Sequence, residues 1–140
     1  MSDRIFLDTN VLVYAFDDSD PAKKNRSLEI LEQVGKQLQA VVSTQVLQEF
    51  YVAVLRKLKQ PLSEDEAEGA VQHFAKLPVV LIDKAMILSA VRTSRIHQLS
   101  LWDALIVQSA TESGCRRLLT EDLQHGQRFG SLQIENPFLS

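Results

Sequence analysis

Four acidic residues that lie far apart in the chain have the surroundings of a shared site. Asp8 ends a short apolar run, Asp122 follows another, and Glu49 and Asp103 lie near the starts of predicted helices. A carboxylate among apolar residues is costly unless it is paired or binds a metal ion. Four carboxylates that meet without a basic partner repel each other, and some must then bind protons. A hard divalent cation removes this repulsion, and both Mg²⁺ and Mn²⁺ prefer oxygen ligands.

Such a group of acids is suited to the hydrolysis of a phosphodiester bond. Mg²⁺ typically binds one or two carboxylates directly, keeps several waters and binds phosphate oxygens of its substrate. The ion can activate water, polarise the phosphoryl group and stabilise the leaving oxygen. We therefore predict that the metal-binding and catalytic residues are Asp8, Glu49, Asp103 and Asp122.

Each acid taken alone also has a structural interpretation. Asp8 could cap the helix that follows it, and Asp103 could complete a capping box with Ser100. Glu49 would be a solvated helix residue, and Asp122 could open a turn. The functional interpretation therefore depends on all four acids meeting at one place.

The elements that must position these acids are short strands alternating with helices. Apolar runs predict buried strands at residues 5–7, 40–42, 79–82 and 117–120. Leu132 and Ile134 alternate with polar residues, which predicts a short edge strand. This order favours a three-layer α/β/α sandwich with a mainly parallel central sheet.

Helices with recognisable caps are predicted between the strands, two of them over residues 45–76 and two over residues 84–113. Predicted caps are the capping box of Ser63 and Glu66, then Asp83 and Ser100. The helix after Asp83 carries apolar residues at positions 87, 88 and 91. The clearest apolar stripe is formed by Leu47, Phe50, Tyr51, Val54, Leu55 and Leu58.

The order of strands and helices places the four acids at one edge of the sheet. In open α/β sheets, ligands bind outside the carboxyl ends of the strands, where the following helices begin. Asp8 and Asp122 follow the first and fourth strands, whereas Glu49 and Asp103 lie in early turns of helices. We therefore expect their carboxylates to meet there.

Composition predicts one soluble domain over residues 1–140. Hydrophobic residues make up 45% of the chain and charged residues 24%, close to the average for globular proteins. The one cysteine, Cys115, excludes an internal disulfide and a multi-cysteine zinc site. No apolar run approaches the roughly 20 residues that span a bilayer, and no secretory signal is recognised. The expected location is the cytoplasm.

The net charge of −3 does not exclude a polyanionic substrate. The chain has 15 basic and 18 acidic residues, so that 14 acidic residues remain when the four proposed site acids are set aside. The acidic excess is then the metal site itself. Basic residues suitably placed to approach a phosphate path are Lys23, Lys24 and Arg26.

The segments around the acids resemble the PIN-domain family. The resemblance rests on residues 6–12 (FLDTNVL), Glu49, residues 102–106 (WDALI) and residues 119–123 (LTEDL). Their order and spacing span nearly the whole chain. The stretch from Thr120-Glu121-Asp122 to Asn136-Pro137-Phe138 resembles bacterial VapC-type toxins and their close relatives.

The resemblance implies a Mg²⁺- or Mn²⁺-dependent ribonuclease that acts on RNA. Asp8, Glu49, Asp103 and Asp122 match the family's acidic positions, Asn10 matches a polar residue that orients the acids, and Thr44 and Thr120 match positions where a hydroxyl often lines the site. It also implies a homodimer. For toxin members of type II toxin–antitoxin pairs, it implies an antitoxin protein that occupies the active site.

Two other classes of protein compete with this hypothesis. A phosphoaspartyl hydrolase of the haloacid dehalogenase type also has an aspartate after its first strand, but it has a second acid two residues later, where this chain has Asn10. The other alternative is a non-catalytic PIN-like module that binds RNA or protein. Loss of an acid would indicate such a module, and none of the four acids is lost.

Two neighbours of the acids are predicted to play no part in the site. Glu121 is expected to be solvated. Trp102 is expected to pack in the core rather than to contact a base.

Overall fold

One six-stranded sheet organises the computed structural model, which describes residues 3–139. The strands are β1 (Asp3–Leu7), β2 (Leu38–Ser43), β3 (Val79–Val80), β4 (Arg117–Leu119), β5 (Arg128–Phe129) and β6 (Leu132–Glu135). Their order in the sheet is β3-β2-β1-β4-β6-β5. Neighbouring strands pair in parallel except for β5 and β6, which are antiparallel. The predicted mainly parallel α/β sheet is therefore confirmed.

Helices make the connections between β1, β2, β3 and β4. They are α1 (Thr9–Tyr14), α2 (Pro21–Gln33), α3 (Thr44–Arg56), α4 (Glu64–Phe74), α5 (Lys84–His97) and α6 (Leu101–Glu112). Within residues 3–139, no helix has the length and apolar character needed to cross a membrane.

The strand order distributes these helices over the two faces of the sheet. From β1 through β2 to β3 the chain moves toward one edge, and from β3 it returns across the sheet to β4. Because parallel crossovers are right-handed, connections that run in opposite directions cover opposite faces. In one layer α1 contacts α2 and α3, and α3 contacts α4, whereas α5 packs against α6 in the other layer. This arrangement is the predicted α/β/α sandwich.

The core lies between the sheet and these layers. Phe6, Leu118 and Ile134 are completely buried on the central strands. An aromatic cluster joins α3 to its neighbours, with the Phe50 ring 5.6 Å from Phe16 and 5.2 Å from Phe74 in edge-to-face contacts. Edge-to-face packing adds to the stability that burial of these rings provides.

The predicted helix caps are present. Ser63 and Glu66 form a complete capping box at the start of α4. The side chains of Asp83 and Ser100 accept hydrogen bonds from Met86 N and Asp103 N, at 2.9 and 3.1 Å. Ser43 caps α3 in the same way, so that helix begins directly after β2. These caps determine where along the sheet edge each helix begins.

Two strand predictions are wrong in detail. The third strand is β3, two residues rather than four, because its partner β2 ends at Ser43, opposite Val80. Leu132 and Ile134 do not form an edge strand, because β5 pairs with the outer side of β6. The hairpin turn between β5 and β6 uses Gly130 at φ +62°, a conformation that favours glycine.

The apolar stripe of α3 is only partly buried. Phe50 and Val54 are completely buried as predicted, but Tyr51 is 36% exposed, and Val46 and Ala53 are buried in its place. Since α1 and α4 both contact α3, the buried face includes positions on each side of Phe50. Periodicity identifies the helix, but the neighbouring helices determine the width of its buried face.

Phe50→Ala is expected to reduce the free energy of unfolding by about 3–5 kcal/mol, because it leaves a cavity in the aromatic cluster. Tyr51→Ala, one position along the same helix, is expected to cost about 1 kcal/mol. Urea denaturation of the two variants measures the difference. Equal losses would contradict the buried face described here.

Candidate active site

Asp8 lies at the centre of the acidic group, directly after β1. Its side chain is 4% exposed. Oδ1 accepts a hydrogen bond of 2.7 Å from Thr9 N, and Oδ2 accepts one of 2.7 Å from Thr120 Oγ1. Asp8 therefore caps α1, as its structural interpretation supposed, and it also faces the other acids. The two interpretations are compatible because each carboxylate oxygen has a different neighbour.

Asp122 is linked to Asp8 through two polar side chains. Thr120 Oγ1, which donates to Asp8, also accepts from Asp122 N at 3.0 Å. Asn10 Nδ2 donates to Asp122 Oδ2 at 3.1 Å and lies 3.4 Å from Thr120 Oγ1. These contacts place Asn10 and Thr120 between the two carboxylates, where the sequence predicted residues that orient the acids.

Glu49 reaches the same group from the second turn of α3. Thr9 Oγ1 donates a hydrogen bond of 3.0 Å to Glu49 Oε1, and Thr9 N donates to Asp8. Thr9 thus joins two of the acids. This contact between residues 40 positions apart forms because α1 and α3 pack together.

Asp103 approaches from the first turn of α6. Its backbone N donates to Ser100 Oγ, so it takes part in the helix cap. Partial burial raises the pKa of the Asp103 carboxyl, and the nearby charges of Asp122 and Glu49 raise it further, against a hydrogen bond from Ser100 that lowers it. Asp103 is therefore close enough to Asp122 and Glu49 for their charges to raise its pKa.

Burial is the main cause of the raised pKa of Asp8, and the charges of the neighbouring acids add to it. Burial raises the pKa of its carboxyl from 3.8 to about 7, the hydrogen bonds from Thr120 and Thr9 N oppose this rise, and the charges of Asp122 and Glu49 add to it. Repulsion of this kind is what a divalent cation relieves.

The residues present fit a hard divalent cation. Their donors are carboxylate oxygens, which Mg²⁺ and Mn²⁺ prefer. Within residues 3–139, no three acidic, histidine or cysteine side chains already surround one point as a complete ligand set. Mg²⁺ requires only one or two direct carboxylates and retains its waters, so an open, oxygen-rich site suits it.

A cleft of about 320 Å³ leads away from the acids between α1 and α3. One side is lined by Asn10, Val13 and Tyr14 of α1 and by Asp17, which follows that helix. The other side is lined by Glu49 and Ala53 of α3 and by Lys57 at its C-cap. Asp122 also lines the cleft, and Lys57 is the basic group among these residues.

Thr44 Oγ1 accepts a hydrogen bond of 3.4 Å from Ile82 N, so its hydroxyl contacts the segment after β3, and its part in the site stays a prediction. Two sequence predictions near the site differ from the structure. Trp102 is 62% exposed rather than buried, because the buried face of α6 begins with Ala104 and Leu105. Glu121 is bound by Tyr14 and Lys23 rather than solvated.

The sequence model of the PIN-domain family matches residues 5–128. Together with the α/β/α sandwich and the acids at the carboxyl edge of its sheet, this match shows that the chain belongs to the PIN-domain family. No relative of curated function was found for the chain.

Solved structures with the same fold cover nearly the whole chain. A toxin–antitoxin complex from Klebsiella pneumoniae has a TM-score of 0.71 at 17% identity, over 95% of this chain and 97% of that chain. VapBC2 from Rickettsia felis, bound to a DNA fragment from its promoter, has a TM-score of 0.63 at 22% identity, over 95% and 98%. Mycobacterium tuberculosis VapC20, a toxin that cleaves the sarcin–ricin loop, has a TM-score of 0.66 at 16% identity, over 81% and 86%. At these identities the likeness shows the shared PIN fold.

Asp8→Asn is expected to change how stability depends on pH in metal-free buffer. The Asp8 pKa of about 7 is above its ordinary value of 3.8, so folding favours the protonated form. The wild-type protein should therefore lose stability as the pH rises from about 4 to about 8, by an amount on the order of a few kcal/mol. Asp8→Asn should lose much less and be the more stable protein at about pH 8. Urea denaturation with EDTA at several pH values measures this difference.

Glu68→Gln, an exposed substitution on α4, is the matched control and should follow the wild-type pH profile. Parallel pH profiles for wild type and Asp8→Asn would show that Asp8 is not the group responsible.

Proposed function

We propose that this chain is a Mg²⁺- or Mn²⁺-dependent ribonuclease and the toxin of a type II toxin–antitoxin pair, acting in the cytoplasm. The observation that carries this proposal is the convergence of Asp8, Glu49, Asp103 and Asp122 at the carboxyl edge of the sheet. Among residues 3–139 no basic side chain forms an ion pair with any of these four carboxylates. A bound divalent cation would supply the positive charge that these acids require, and it would also bind the phosphate oxygens of RNA.

Each side chain has a definite part in this proposal. Asp8, Glu49, Asp103 and Asp122 would hold the ion, directly or through its waters. Thr120 orients Asp8 and Asn10 orients Asp122 through the hydrogen bonds described above. When bound, the ion would act as a Lewis acid that polarises the scissile phosphate and activates water. Lys57, farther along the cleft, is placed to contact the next phosphates of the RNA.

The toxin role is supported by the fold likeness to toxin–antitoxin complexes and to an RNA-cleaving toxin. In this proposal a cognate antitoxin covers the cleft between α1 and α3 and keeps RNA away from the acids.

A small adjacent upstream gene that encodes a DNA-binding protein would favour a toxin, whereas its absence would favour an RNA-processing enzyme. Membership of the PIN family argues against the phosphoaspartyl hydrolase.

Purified protein is expected to cleave RNA with Mg²⁺ or Mn²⁺ and to be inactive with EDTA. Asp8→Asn and Asp103→Asn should each lower the cleavage rate by at least about a hundredfold, because each removes charge that holds the ion. Glu68→Gln, which preserves the site, should cleave like wild type. Gel analysis of structured and single-stranded RNA measures these rates.

Cleavage that persists in EDTA, or that survives Asp8→Asn, would contradict the mechanism. RNA binding without cleavage under any metal condition would favour the non-catalytic PIN-like module.

The proposed homodimer is supported by the exposed face of α5. Met86 and Ala90 are buried on one side of this helix, while Leu88 and Ile96 are 62% and 68% exposed on the opposite side, with Val91 between them. A helix that is apolar on opposite faces is normally covered on both. The groove along this outer face has a volume of about 690 Å³.

A second copy of this chain is the occupant that the face fits. A two-fold axis makes an interface self-complementary, with each helix running antiparallel to its mate. Exposed Leu81 and Ile96 lie at nearly equal sequence distances on either side of Leu88, so antiparallel pairing brings Leu81 of each copy near Ile96 of the other. The same pairing brings Arg95 of one copy near Asp83 of the other.

Leu88→Glu is expected to weaken dimerisation by at least about a hundredfold, because a charged carboxylate would replace an apolar side chain at the centre of the interface. Leu28→Glu on α2 is the control, since Leu28 is also an exposed leucine but lies on another helix. Sedimentation velocity over a concentration series measures the dimer dissociation constant. A wild-type monomer, or equal effects of the two substitutions, would contradict this interface.

A further inference from the structure

A fifth carboxylate, Glu121, lies next to Asp122 but has its own partners. Glu121 Oε1 accepts a hydrogen bond of 2.5 Å from the Tyr14 hydroxyl, and Oε2 lies 2.9 Å from Lys23 Nζ. Lys23 Nζ also donates to the Tyr14 hydroxyl at 3.2 Å. These three residues, which we call the Glu121 clamp, come from α1, α2 and the loop after β4.

Aromatic rings shield the clamp from water. Lys23 Nζ lies 4.8 Å from the centre of the Tyr14 ring and 5.8 Å from that of Phe138, and the two rings contact each other edge to face. The side chains of Glu121 and Lys23 are 23% and 34% exposed. An ion pair with cation–π contacts and reduced hydration is stronger than an ordinary surface pair.

At neutral pH both Lys23 and Tyr14 keep the protons that they donate to Glu121. The hydrogen bond to Glu121 raises the pKa of Lys23, so its ammonium stays charged. Burial and the hydrogen bond to Glu121 raise the pKa of Tyr14, so its hydroxyl keeps the proton that it donates.

The backbone connects the clamp to the acids. Glu121 N lies 3.4 Å from Asn10 Oδ1, to which it donates, and Asn10 Nδ2 donates to Asp122 Oδ2. A shift of Glu121 therefore moves both Asn10 and Asp122. Tyr14 also lines the cleft, so the clamp borders the path that leads to the acids.

We infer that Lys23 and Tyr14 are positioning residues, which hold Glu121 out of the acidic group so that Asp122 faces Asp8. Without Lys23, the Glu121 carboxylate would be an unpaired fifth negative charge beside the proposed metal site. It would compete with Asp122 for a cation and pull the loop after β4 out of place. The consequence for catalysis rests on the proposed ribonuclease function, whereas the effect on Asn10 and Asp122 does not.

Four variants test this inference: Lys23→Met, Glu121→Gln, the double variant with both changes, and Lys36→Met. Lys36→Met is the matched control, because it removes the same charge from an exposed lysine after the end of α2, where Lys36 pairs with Glu32. The metal-free measurement is the NMR signal of the Asn10 side-chain amide, which reports its bond to Asp122. Calorimetric titration with Mn²⁺ and RNA cleavage at saturating Mn²⁺ are the other two measurements.

Lys23→Met is expected to shift the Asn10 amide signal and to bind Mn²⁺ no more weakly than wild type, because a positive charge is lost and a carboxylate is freed. Its cleavage rate should fall by between about tenfold and a hundredfold, because a small displacement of Asp122 lowers the rate of the chemical step. The double variant should restore the Asn10 signal and most of the cleavage rate, because no free carboxylate remains. Glu121→Gln and Lys36→Met should both resemble wild type.

An unchanged Asn10 signal in Lys23→Met would overturn the inference. So would a double variant that is no better than Lys23→Met, because a purely structural loss is not repaired by removing Glu121. If wild type neither binds Mn²⁺ nor cleaves RNA, the proposed function fails, and the Asn10 signal still decides the role of the clamp.

Discussion

A buried carboxylate surrounded by like charge is the constraint on which the rest of this structure depends. Asp8 lies at the end of a central strand, where burial and two neighbouring acids oppose its ionisation. The fold tolerates it because Thr9 N and the Thr120 hydroxyl each donate a hydrogen bond to it. Those two donors come from α1 and from the segment after β4, so the central strands must be adjacent for Asp8 to be accommodated.

Glu49 and Asp103 are positioned by the starts of helices. Ser43 and Ser100 cap α3 and α6, and this places Glu49 and Asp103 within the early turns of those helices. Negative charge is favoured in the first turn of a helix, where Asp103 lies, and this offsets part of the repulsion that Asp103 experiences. The supporting polar residues, Thr9 and Asn10, both belong to α1 and reach toward different acids. The site is therefore held by the layer of helices as much as by the sheet.

The two helical layers differ in the surfaces that they expose. The α1–α4 layer is tightly packed around the aromatic cluster, and its cleft opens toward the acids. In the other layer α5 packs against α6 and leaves Leu88, Val91 and Ile96 exposed on its outer side. The proposed RNA substrate and antitoxin would bind at the cleft, whereas the proposed second copy of the chain would pack on the outer face of α5.

Much of this protein was determined by its sequence alone, because the decisive features are local. Apolar runs, helix caps and the order of elements identified the α/β/α sandwich, and the parallel direction of its strands then predicted that Asp8, Glu49, Asp103 and Asp122 lie at one edge. Other features required the tertiary structure, because they depend on contacts between residues distant in the chain. Glu121 is predicted from the sequence to be solvated, but α2 brings Lys23 beside it. Trp102 and the outer side of α5 show the same limit, since periodicity identifies an apolar face but only packing decides whether this chain covers it.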